Sequence, residues 1–246
     1  QTGYIDKESL PTLGTVSRNQ NGYPIGYFFG YKAIGVFQTQ EEIDNYISPA
    51  TGKPIQPNAV PGDTKFEDLN GDGVISDDNE DRTMIGKPNP DWIVGLTVAA
   101  DWNGFDLSAF FQGSFGADVF DALRRYELAA VNYTSDALER WTGPGTSNSM
   151  PRIVLGDTPK NFRPSTLLVH DASFLRLRNL QVGYTLPAQL TRKAYIQRLR
   201  FYASFDNLLT ITGYKGMDPE IGSTMGIDKG VYPQARVYTF GLNLTF

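Results

Sequence analysis

The sequence predicts an all-β protein made of long antiparallel strands, and it favours a transmembrane β-barrel over a soluble β-sandwich. Three observations support this prediction. Apolar residues recur at every second position in several segments, the connections between these segments alternate between short and long, and the final Phe246 lies on the apolar side of such a segment. A period of two is typical of strands with one apolar face.

The composition excludes several other classes of protein. No segment approaches the roughly 18 consecutive apolar residues that a transmembrane helix needs. The net charge is -5, so a general basic field is absent and we expect no nucleic-acid partner. The chain contains no cysteine and a single histidine, His170, which accompanies no nucleophile motif. We therefore expect no enzyme activity and no required cofactor.

The segment from Trp92 to Trp102 is the clearest predicted strand. Its even positions are apolar, and Ile93 is the exception on the other face. At about 3.3 Å per residue the segment would extend roughly 33 Å. Tilted by about 45°, it would rise roughly 24 Å, close to the apolar band of an outer-membrane barrel of about 25 Å. The following Asn103-Gly104 predicts a tight hairpin turn into a strand that begins at Phe105.

Three further strands are predicted towards the C-terminus. Residues Phe174–Leu186 alternate but change phase near Asn179, which predicts a β-bulge. Residues Leu199–Asn207 and Arg236–Phe246 also alternate. The polar positions of these strands would line a hydrated barrel interior, where we expect hydrogen bonding within the wall more than contact with solute. They include Arg176, Arg178, Arg198, Arg200, Tyr202 and Asp206.

Long connections are predicted to be extracellular loops, because outer-membrane barrels have short periplasmic turns and long external loops. They cover residues 38–90, 116–172 and 214–235. Short helices are expected within them. A capping box at Thr39-Gln40-Glu41-Glu42 predicts a helix through Tyr46. Residues Asp121–Ala130 and Ser135–Trp141 also have helical patterns.

Short motifs follow one another along nearly the whole chain. They are Gly62-Asp63-Thr64-Lys65-Phe66 leading into Asp68–Ile75, Asp81-Arg82 with Ile85-Gly86, Phe105–Ser108 with Phe111-Gln112-Gly113, Ser173–Asn179 with Gly183–Pro187, Asn207-Leu208, Gly213-Tyr214, Asp218-Pro219-Glu220 and Tyr232-Pro233. In this order the series resembles the C-terminal region of the SusC/RagA family of TonB-linked outer-membrane transporters.

The resemblance implies a fold and an assembly. Family members are 22-stranded antiparallel barrels with an N-terminal plug, and they import oligosaccharides or oligopeptides with a SusD-like surface lipoprotein as a lid. Residues 1–246 would then be the C-terminal part of such a multi-pass barrel, surrounded by the lipid of the cell outer membrane. Its partners would be the N-terminal barrel and plug portion of the same transporter, and TonB acting through that plug.

The first long connection also contains a motif similar to a calcium-binding loop. Oxygen ligands at alternate positions and a glycine that permits a sharp turn are typical of such loops. The expected ligands of a structural calcium ion are Asp68, Asn70, Asp72, Val74 and Asp81. The twelfth position is Asn79 instead of glutamate, and Asp81 fits the family's aspartate best. The alternative is an acidic turn held by hydrogen bonds from side chains to the backbone.

Other interpretations of the same residues stay open. A soluble, calcium-stabilised carbohydrate-binding β module predicts that the apolar strand faces pack against each other. A secreted glycan-active enzyme would need two acids at a defined separation across a cleft. A structural or receptor barrel without transport fits the same strands.

Overall fold

The computed structural model describes residues 4–10, 14–123, 132–220 and 225–246. Strands dominate these residues, which confirms the all-β prediction. The strands are β1 (Tyr4–Leu10), β2 (Gly14–Gln20), β3 (Tyr27–Gly30), β4 (Ala33–Val36), β5 (Thr64–Phe66), β6 (Thr83–Gly86), β7 (Trp92–Trp102), β8 (Phe105–Phe115), β9 (Asp118–Asp121), β10 (Val169–Asp171), β11 (Phe174–Thr185), β12 (Arg198–Thr212), β13 (Ile227–Asp228) and β14 (Val237–Thr245). The α-helices are α1 (Gln40–Asp44) and α2 (Ala188–Thr191), and short 3-10 helices cover Ser135–Glu139, Leu155–Asp157, Thr166–Leu168 and Arg192–Ala194.

The chain divides into two compact units. The described residues of the first, the connection unit, fall within Gln1–Asn89, Asp118–His170 and Ile221–Gly230. Those of the second, the strand unit, fall within Pro90–Ala117, Asp171–Glu220 and Val231–Phe246. The long strands predicted from period two all lie in the strand unit.

The strand unit is one antiparallel sheet in the order β14-β12-β11-β8-β7. Strand β7 has the predicted bounds, and its turn into β8 has positive φ angles at Asn103 (47°) and Gly104 (84°). Two positive φ angles are typical of a type I′ turn, and they confirm the predicted tight hairpin. Strand β12 continues beyond the predicted end at Asn207. That residue has a φ of 52°, and this local irregularity interrupts the sequence alternation without ending the strand.

The register of the sheet places the apolar positions of neighbouring strands opposite one another. Val182 of β11 pairs with Leu107 of β8 and with Ala203 of β12, and Ala203 pairs with Phe240 of β14. Side chains on this apolar face are largely exposed, 59% for Leu96 and 76% for Phe240. A continuous exposed apolar surface of this kind indicates contact with a membrane or a protein partner.

The opposite, polar face contains an ion pair that bridges two strands over a third. Arg200 of β12 donates to Asp106 of β8 from Nε at 2.9 Å and from Nη2 at 2.5 Å. Gly183 of β11 lies between them, and a Cβ there would be 2.4 Å from Oδ1 of Asp106. The pair therefore occupies this position because residue 183 has no side chain, and a Cβ there would require it to shift.

A bulge in β11 confirms the predicted change of phase. The register with β8 and β12 shifts between Leu177 and Asn179, which leaves Arg178 outside both ladders. Asn179 donates to the Ser204 hydroxyl at 3.0 Å and to Asp206 at 2.7 Å across the polar face. The bulge thus gives this face two consecutive polar side chains, since the extra residue reverses the alternation.

The connection unit has a hydrophobic core of its own. It contains a sheet in the order β1-β2-β3-β6, the antiparallel pair β4-β5, and a parallel pairing of β13 with β9. The buried side chains of one core cluster are Val16, Phe28, Phe120, Ala122, Leu168 and Ile227. This unit is therefore a folded structure, held by packing as well as by turns.

The predicted helices are shorter than the sequence indicates. Thr39 caps α1 by accepting the N–H of Glu42 at 3.2 Å, as predicted, but the helix ends at Asp44. The segment predicted as Ser135–Trp141 is a 3-10 helix over Ser135–Glu139. The prediction of helix from Asp121 is wrong at its start, because Asp121 ends β9 and pairs with Asp228 of β13.

Residues 124–130 of that predicted helix lie outside the described residues. Among the helices that are described, none is long and apolar enough to cross a membrane.

Candidate functional site

Asp81 organises the loop in which the sequence predicts calcium. Its side chain is fully buried, with Oδ1 accepting the N–H of Leu69 at 3.2 Å and Oδ2 accepting the N–H of Ser76 at 2.9 Å. The Ser76 hydroxyl donates to the same Oδ2 at 3.3 Å. One carboxylate therefore ties the beginning of the loop to its middle.

The other predicted ligands hold tight turns within the loop. Asp68 accepts the N–H groups of Gly71 at 2.8 Å and of Gly73 at 2.9 Å. Asn70 accepts the N–H of Asp72 at 3.0 Å. Asp72 accepts the N–H of Val74 at 2.8 Å. The bonds accepted by Asn70 and Asp72 are Asx turns, in which a side-chain oxygen accepts the N–H two residues on. Together with Asp68 they give the loop the side-chain-to-backbone hydrogen bonding of the alternative interpretation.

The calcium prediction for Asp68, Asn70, Asp72, Val74 and Asp81 stays a prediction. In the part of the chain that the structure describes, no three His, Asp or Glu side chains form a group that could hold a metal ion. Calcium needs six to eight oxygen ligands in general. Binding would therefore require several of these oxygens to turn from N–H groups towards the ion.

Two neighbouring acids have lowered pKa values. The hydrogen bond from the Lys160 ammonium lowers the pKa of Asp77, and Arg163 lies 3.9 Å from the same carboxylate. The hydrogen bond from the Ser76 hydroxyl lowers the pKa of Asp78. Asp77 is two-thirds exposed, so its ion pairs contribute little to stability. They connect the acidic loop to the segment that contains Lys160.

Arg82 follows Asp81 and belongs to a stack of arginine and aromatic side chains. Its guanidinium lies 4.5 Å from the Phe29 ring centroid, and that of Arg18 lies 3.6 Å from the same ring. Arg82 also donates to the Phe29 carbonyl at 2.8 Å. Arg163 continues the stack, 4.7 Å from the ring of Tyr31. Cation–π contacts of this kind stabilise partly desolvated guanidinium groups, so the Asp81-Arg82 motif has a structural role.

A second polar cluster lies on the strand unit and joins β11 to residues 214–220. Arg176 is 2% exposed, and its Nη2 lies 2.5 Å from Oδ1 of Asp218. Its Nη1 donates to Glu220 at 3.0 Å, and its Nε donates to the Thr210 hydroxyl at 2.9 Å. All three nitrogens of the guanidinium group therefore have acceptors, which buried charges require.

Arg178 and Asn207 extend this cluster. Arg178 pairs with Glu220, and it donates to the Gln112 side chain at 2.7 Å and to the Asn207 side chain at 3.3 Å. Asn207 in turn donates to the Ala235 carbonyl at 3.0 Å. We call Arg176, Arg178, Asn207, Asp218 and Glu220 the loop clasp, because they hold both ends of the connection between β12 and β14.

Asp218 is the acceptor at the centre of the loop clasp. Burial by itself would raise the pKa of its carboxyl group. The N–H groups of Gln234 and Glu220, at 3.0 Å and 2.9 Å, and the Arg176 guanidinium outweigh burial and hold the pKa below its ordinary value. The carboxylate therefore stays charged.

The sequence predicted the loop clasp only in part. Arg176 and Arg178 were expected on the polar wall, where the structure places them, but Asp218 and Glu220 were not identified as their partners. A signal was present, since two arginines two positions apart match two acids two positions apart. Nothing in the sequence assigns the pairing across 42 residues.

His170 lies on β10, with Nε2 3.8 Å from Asp121.

Comparison with curated proteins identifies relatives over almost the whole chain. TonB-dependent receptor P3 of Formosa agariphila is 34% identical over 238 residues, which are 92% of this chain and 23% of that protein. TonB-dependent receptor SusC of Bacteroides thetaiotaomicron is 30% identical over 248 residues, 100% of this chain and 23% of SusC. The chain thus spans about a quarter of the length of the relatives it matches. No protein-family model matches it.

Solved structures show the same fold. The RagAB peptide transporter superimposes with a TM-score of 0.70 at 27% identity, over 98% of this chain and 25% of that one. The RagAB peptide importer in the open-open state gives a TM-score of 0.68 at 26% identity, over 98% and 24%. The relatives are named as receptors and transporters, and none of these names describes an enzyme.

Proposed function

The chain belongs to the SusC/RagA family of TonB-dependent receptors, which are outer-membrane β-barrel proteins, and from this membership we propose that it supplies part of the barrel of a nutrient importer. The missing strands and the plug would come from the rest of the transporter. In this proposal TonB would act through that plug.

The observation that supports this proposal most directly is the two-faced sheet of the strand unit. Five neighbouring strands align most of their apolar residues on one face, and the other face carries polar and charged residues such as Asp106, Arg176 and Arg200. An apolar face towards lipid and a polar face towards a hydrated interior are what an outer-membrane barrel requires. The tryptophans at both ends of β7, Trp92 and Trp102, are 72% and 76% exposed, as expected for aromatic girdles.

We propose oligosaccharides or oligopeptides as the transported solutes and a SusD-like surface lipoprotein as the lid. The RagAB structures are described as a peptide importer, which supports the oligopeptide class. The curated relatives include SusC, which supports membership of the lipoprotein-paired group. Membrane lipid would cover the apolar face.

The same sheet weighs against a soluble carbohydrate-binding module. Such a module would bury its apolar strand faces against a second sheet. Within the described part of the strand unit, Leu96, Phe240 and Leu242 are instead each more than half exposed. Exposing such residues to water would be costly, at about 25 cal/mol per Å² of apolar surface.

Membrane fractionation of the native protein, followed by affinity purification in mild detergent and mass spectrometry, tests the proposal. We expect recovery in the outer membrane together with a plug-bearing polypeptide and a lipoprotein. Loss of uptake of labelled peptides or oligosaccharides on deletion of the gene would complete the case. Recovery as a monodisperse protein without detergent would contradict the barrel assignment.

A further inference from the structure

We propose that residues Pro187–Gln197, the basic turn, bind the headgroups of anionic phospholipids. The contacts with the lipid phosphate are Arg192 and Lys193. The contacts with the upper part of the acyl chains are Leu190 and Tyr195. The inference goes beyond solute import, and it rests on the proposed function only in taking the apolar face of the sheet as the side that faces lipid.

The basic turn lies where the apolar face of the sheet ends. The last row of the register that crosses all five strands on this face is apolar throughout, and its members are Trp102, Phe105, Tyr184, Phe201 and Leu242. The two-residue turn of the β7–β8 hairpin is at the same end, because the N–H of Thr185 donates to the carbonyl of Gly104 at 2.8 Å. Short turns of outer-membrane barrels are periplasmic, and tryptophan and tyrosine mark the boundary with the headgroups. The basic turn therefore lies at the depth of the headgroups of the periplasmic leaflet.

Hydrogen bonds fix the basic turn to the ends of the neighbouring strands. The N–H of Leu186 donates to the carbonyl of Leu199 at 2.9 Å, which closes the turn at its base. The N–H of Gln197 donates to the carbonyl of Thr245 at 2.8 Å, which joins the turn to β14. Within the turn, Thr191 is buried. The exposed side chains on either side of it are therefore held at one depth.

The basic turn has positive charge that the described part of the chain does not neutralise. Residues 187–197 include Arg192 and Lys193 and contain no aspartate or glutamate. Both side chains are exposed, and neither forms an ion pair with a described residue. Asp106 at the same end of the sheet is on the polar face and is already paired with Arg200. The anion that the membrane boundary supplies is the lipid phosphate, which attracts basic residues close to the surface.

Tyr195 has a backbone conformation that the turn alone does not explain. Its φ of 60° and ψ of 26° lie in the left-handed region, which glycine and asparagine adopt readily and bulky residues rarely adopt. The side chain is 90% exposed, so packing within the chain does not offset this strain. Strained residues of this kind concentrate at functional positions. A tyrosine ring at the membrane boundary gains contact with lipid through its apolar body and keeps its hydroxyl in water.

Leu190 completes the amphipathic character of the basic turn. It lies on α2, two residues before Arg192, and is 58% exposed. Segments that lie in the membrane boundary combine basic residues with leucine and aromatic residues. The six residues from Leu190 to Tyr195 contain both kinds, so they offer a charged contact for the phosphate and an apolar contact for the chain below it.

Native mass spectrometry of the complete transporter, released from mild detergent, tests the proposal. The probes are phosphatidylglycerol, which is anionic, and phosphatidylcholine, which is zwitterionic, each added in graded amounts. Arg192→Gln combined with Lys193→Gln removes the charge and leaves the backbone bonds of the turn. We expect the affinity of one phosphatidylglycerol site to fall about 30-fold, because each basic residue near an anionic surface contributes about fivefold. Binding of phosphatidylcholine should change much less.

Tyr195→Asn tests the aromatic contact separately. Asparagine tolerates the left-handed conformation, so the turn keeps its shape and a loss of affinity reports on the ring. We expect the affinity for phosphatidylglycerol to fall about fivefold. The matched control is Lys53→Gln with Lys215→Gln, which removes the same charge from exposed lysines of the long connections. The control should bind both lipids as the wild type does.

The outcomes separate the possibilities. Unchanged phosphatidylglycerol affinity in the Arg192 and Lys193 variant would overturn the proposal, as would an equal loss in the lysine control. An equal loss for both lipids would overturn the assignment of the phosphate contacts to charge. Wild-type affinity in Tyr195→Asn would remove Tyr195 from the site. If the complete transporter is monodisperse without detergent, the barrel assignment in the proposed function fails instead.

Discussion

Arg176 and Asp218 form a buried ion pair, with Nη2 2.5 Å from Oδ1, although 42 residues separate them in the chain. The Arg176 side chain is 2% exposed and that of Asp218 is 8% exposed. Arg176 is compensated by Asp218 together with Glu220, and Asp218 also accepts two backbone N–H groups. The pair joins β11 to the connection between β12 and β14, so it couples the stability of the strand to that of the connection.

Removing one partner of this pair should destabilise the protein strongly. Asp218→Leu leaves the Arg176 guanidinium buried with one acceptor fewer, and breaking a buried pair costs about 3 to 5 kcal/mol in general. Arg176→Met combined with Asp218→Leu should cost less than the sum of the two single changes. Urea unfolding in detergent, followed by the gel mobility of the folded barrel, measures these values. Additive effects would show that the two residues are not coupled.

The loop clasp should weaken at low pH. The lowered pKa of Asp218 means that its carboxyl group binds fewer protons in the folded state than in the unfolded state. Its contribution to stability is complete above the ordinary value of 3.8 and is lost as the pH falls through the lowered folded value. The protection of residues 214–220 against hydrogen exchange, expressed relative to the intrinsic exchange rate at each pH, should be constant from pH 7 to about pH 4 and should fall at lower pH. Asp218→Asn should remove the pH dependence, and a dependence that persists would assign it to another group.

Strand positions were predictable because successive side chains of a strand point to opposite faces, so the pattern of apolar residues reveals the strand. The bounds of β7, the Asn103-Gly104 turn and the bulge before Asn179 all follow from local alternation and turn chemistry. Alternation repeats every two residues, so a local window is sufficient to detect it.

Contacts between distant segments could not be predicted in this way. The partners of Arg176, and the meeting of Asp106 with Arg200 over Gly183, depend on which strands become neighbours. The segment that ends at Asp121 was also mistaken for a helix start. The spacing of its apolar residues fits both the two-residue period of a strand and the 3.6-residue period of a helix. Its parallel partner at Asp228 lies more than 100 residues away and decides the outcome.

A side chain at position 183 should break the ion pair beneath it. The Cβ of Gly183→Ala would lie 2.4 Å from Oδ1 of Asp106 and 2.5 Å from Nη2 of Arg200. We expect a loss of roughly 1 to 3 kcal/mol, the usual cost of overpacking. Gly95→Ala is the matched control, because the nearest atom to its Cβ, on the Phe110 ring, is at an ordinary 3.5 Å. Unfolding in detergent compares the two, and equal stability would mean that the Asp106–Arg200 pair moves aside freely.

The two faces of β7 should respond differently to charge. Leu96 lies on the apolar face and Thr97 on the polar face, both near the middle of the strand. Leu96→Arg should cost about 2 to 4 kcal/mol in a bilayer, the value for arginine at the lipid-facing midplane of a barrel. Thr97→Arg should cost much less, because its side chain faces the hydrated interior. Folding into lipid vesicles measures both, and a larger penalty at Thr97 would reverse the assignment of the faces.

Calcium should stabilise the protein only if the Asp68–Asp81 loop binds it. A ligand that binds the folded state alone raises stability by about 2.7 kcal/mol at a concentration 100 times its Kd. Thermal unfolding with added CaCl₂ and with EGTA measures this effect, and we expect a higher Tm with calcium in the wild type.

Asp72→Asn should remove the shift yet preserve the turn, because asparagine still accepts the N–H of Val74. Asp81→Asn should lower the Tm with or without calcium, since the buried Asp81 carboxylate accepts the backbone N–H groups of Leu69 and Ser76. An equal Tm in calcium and EGTA would contradict calcium binding. The loop would then be a hydrogen-bonded turn whose carboxylates accept backbone N–H groups and bind no ion.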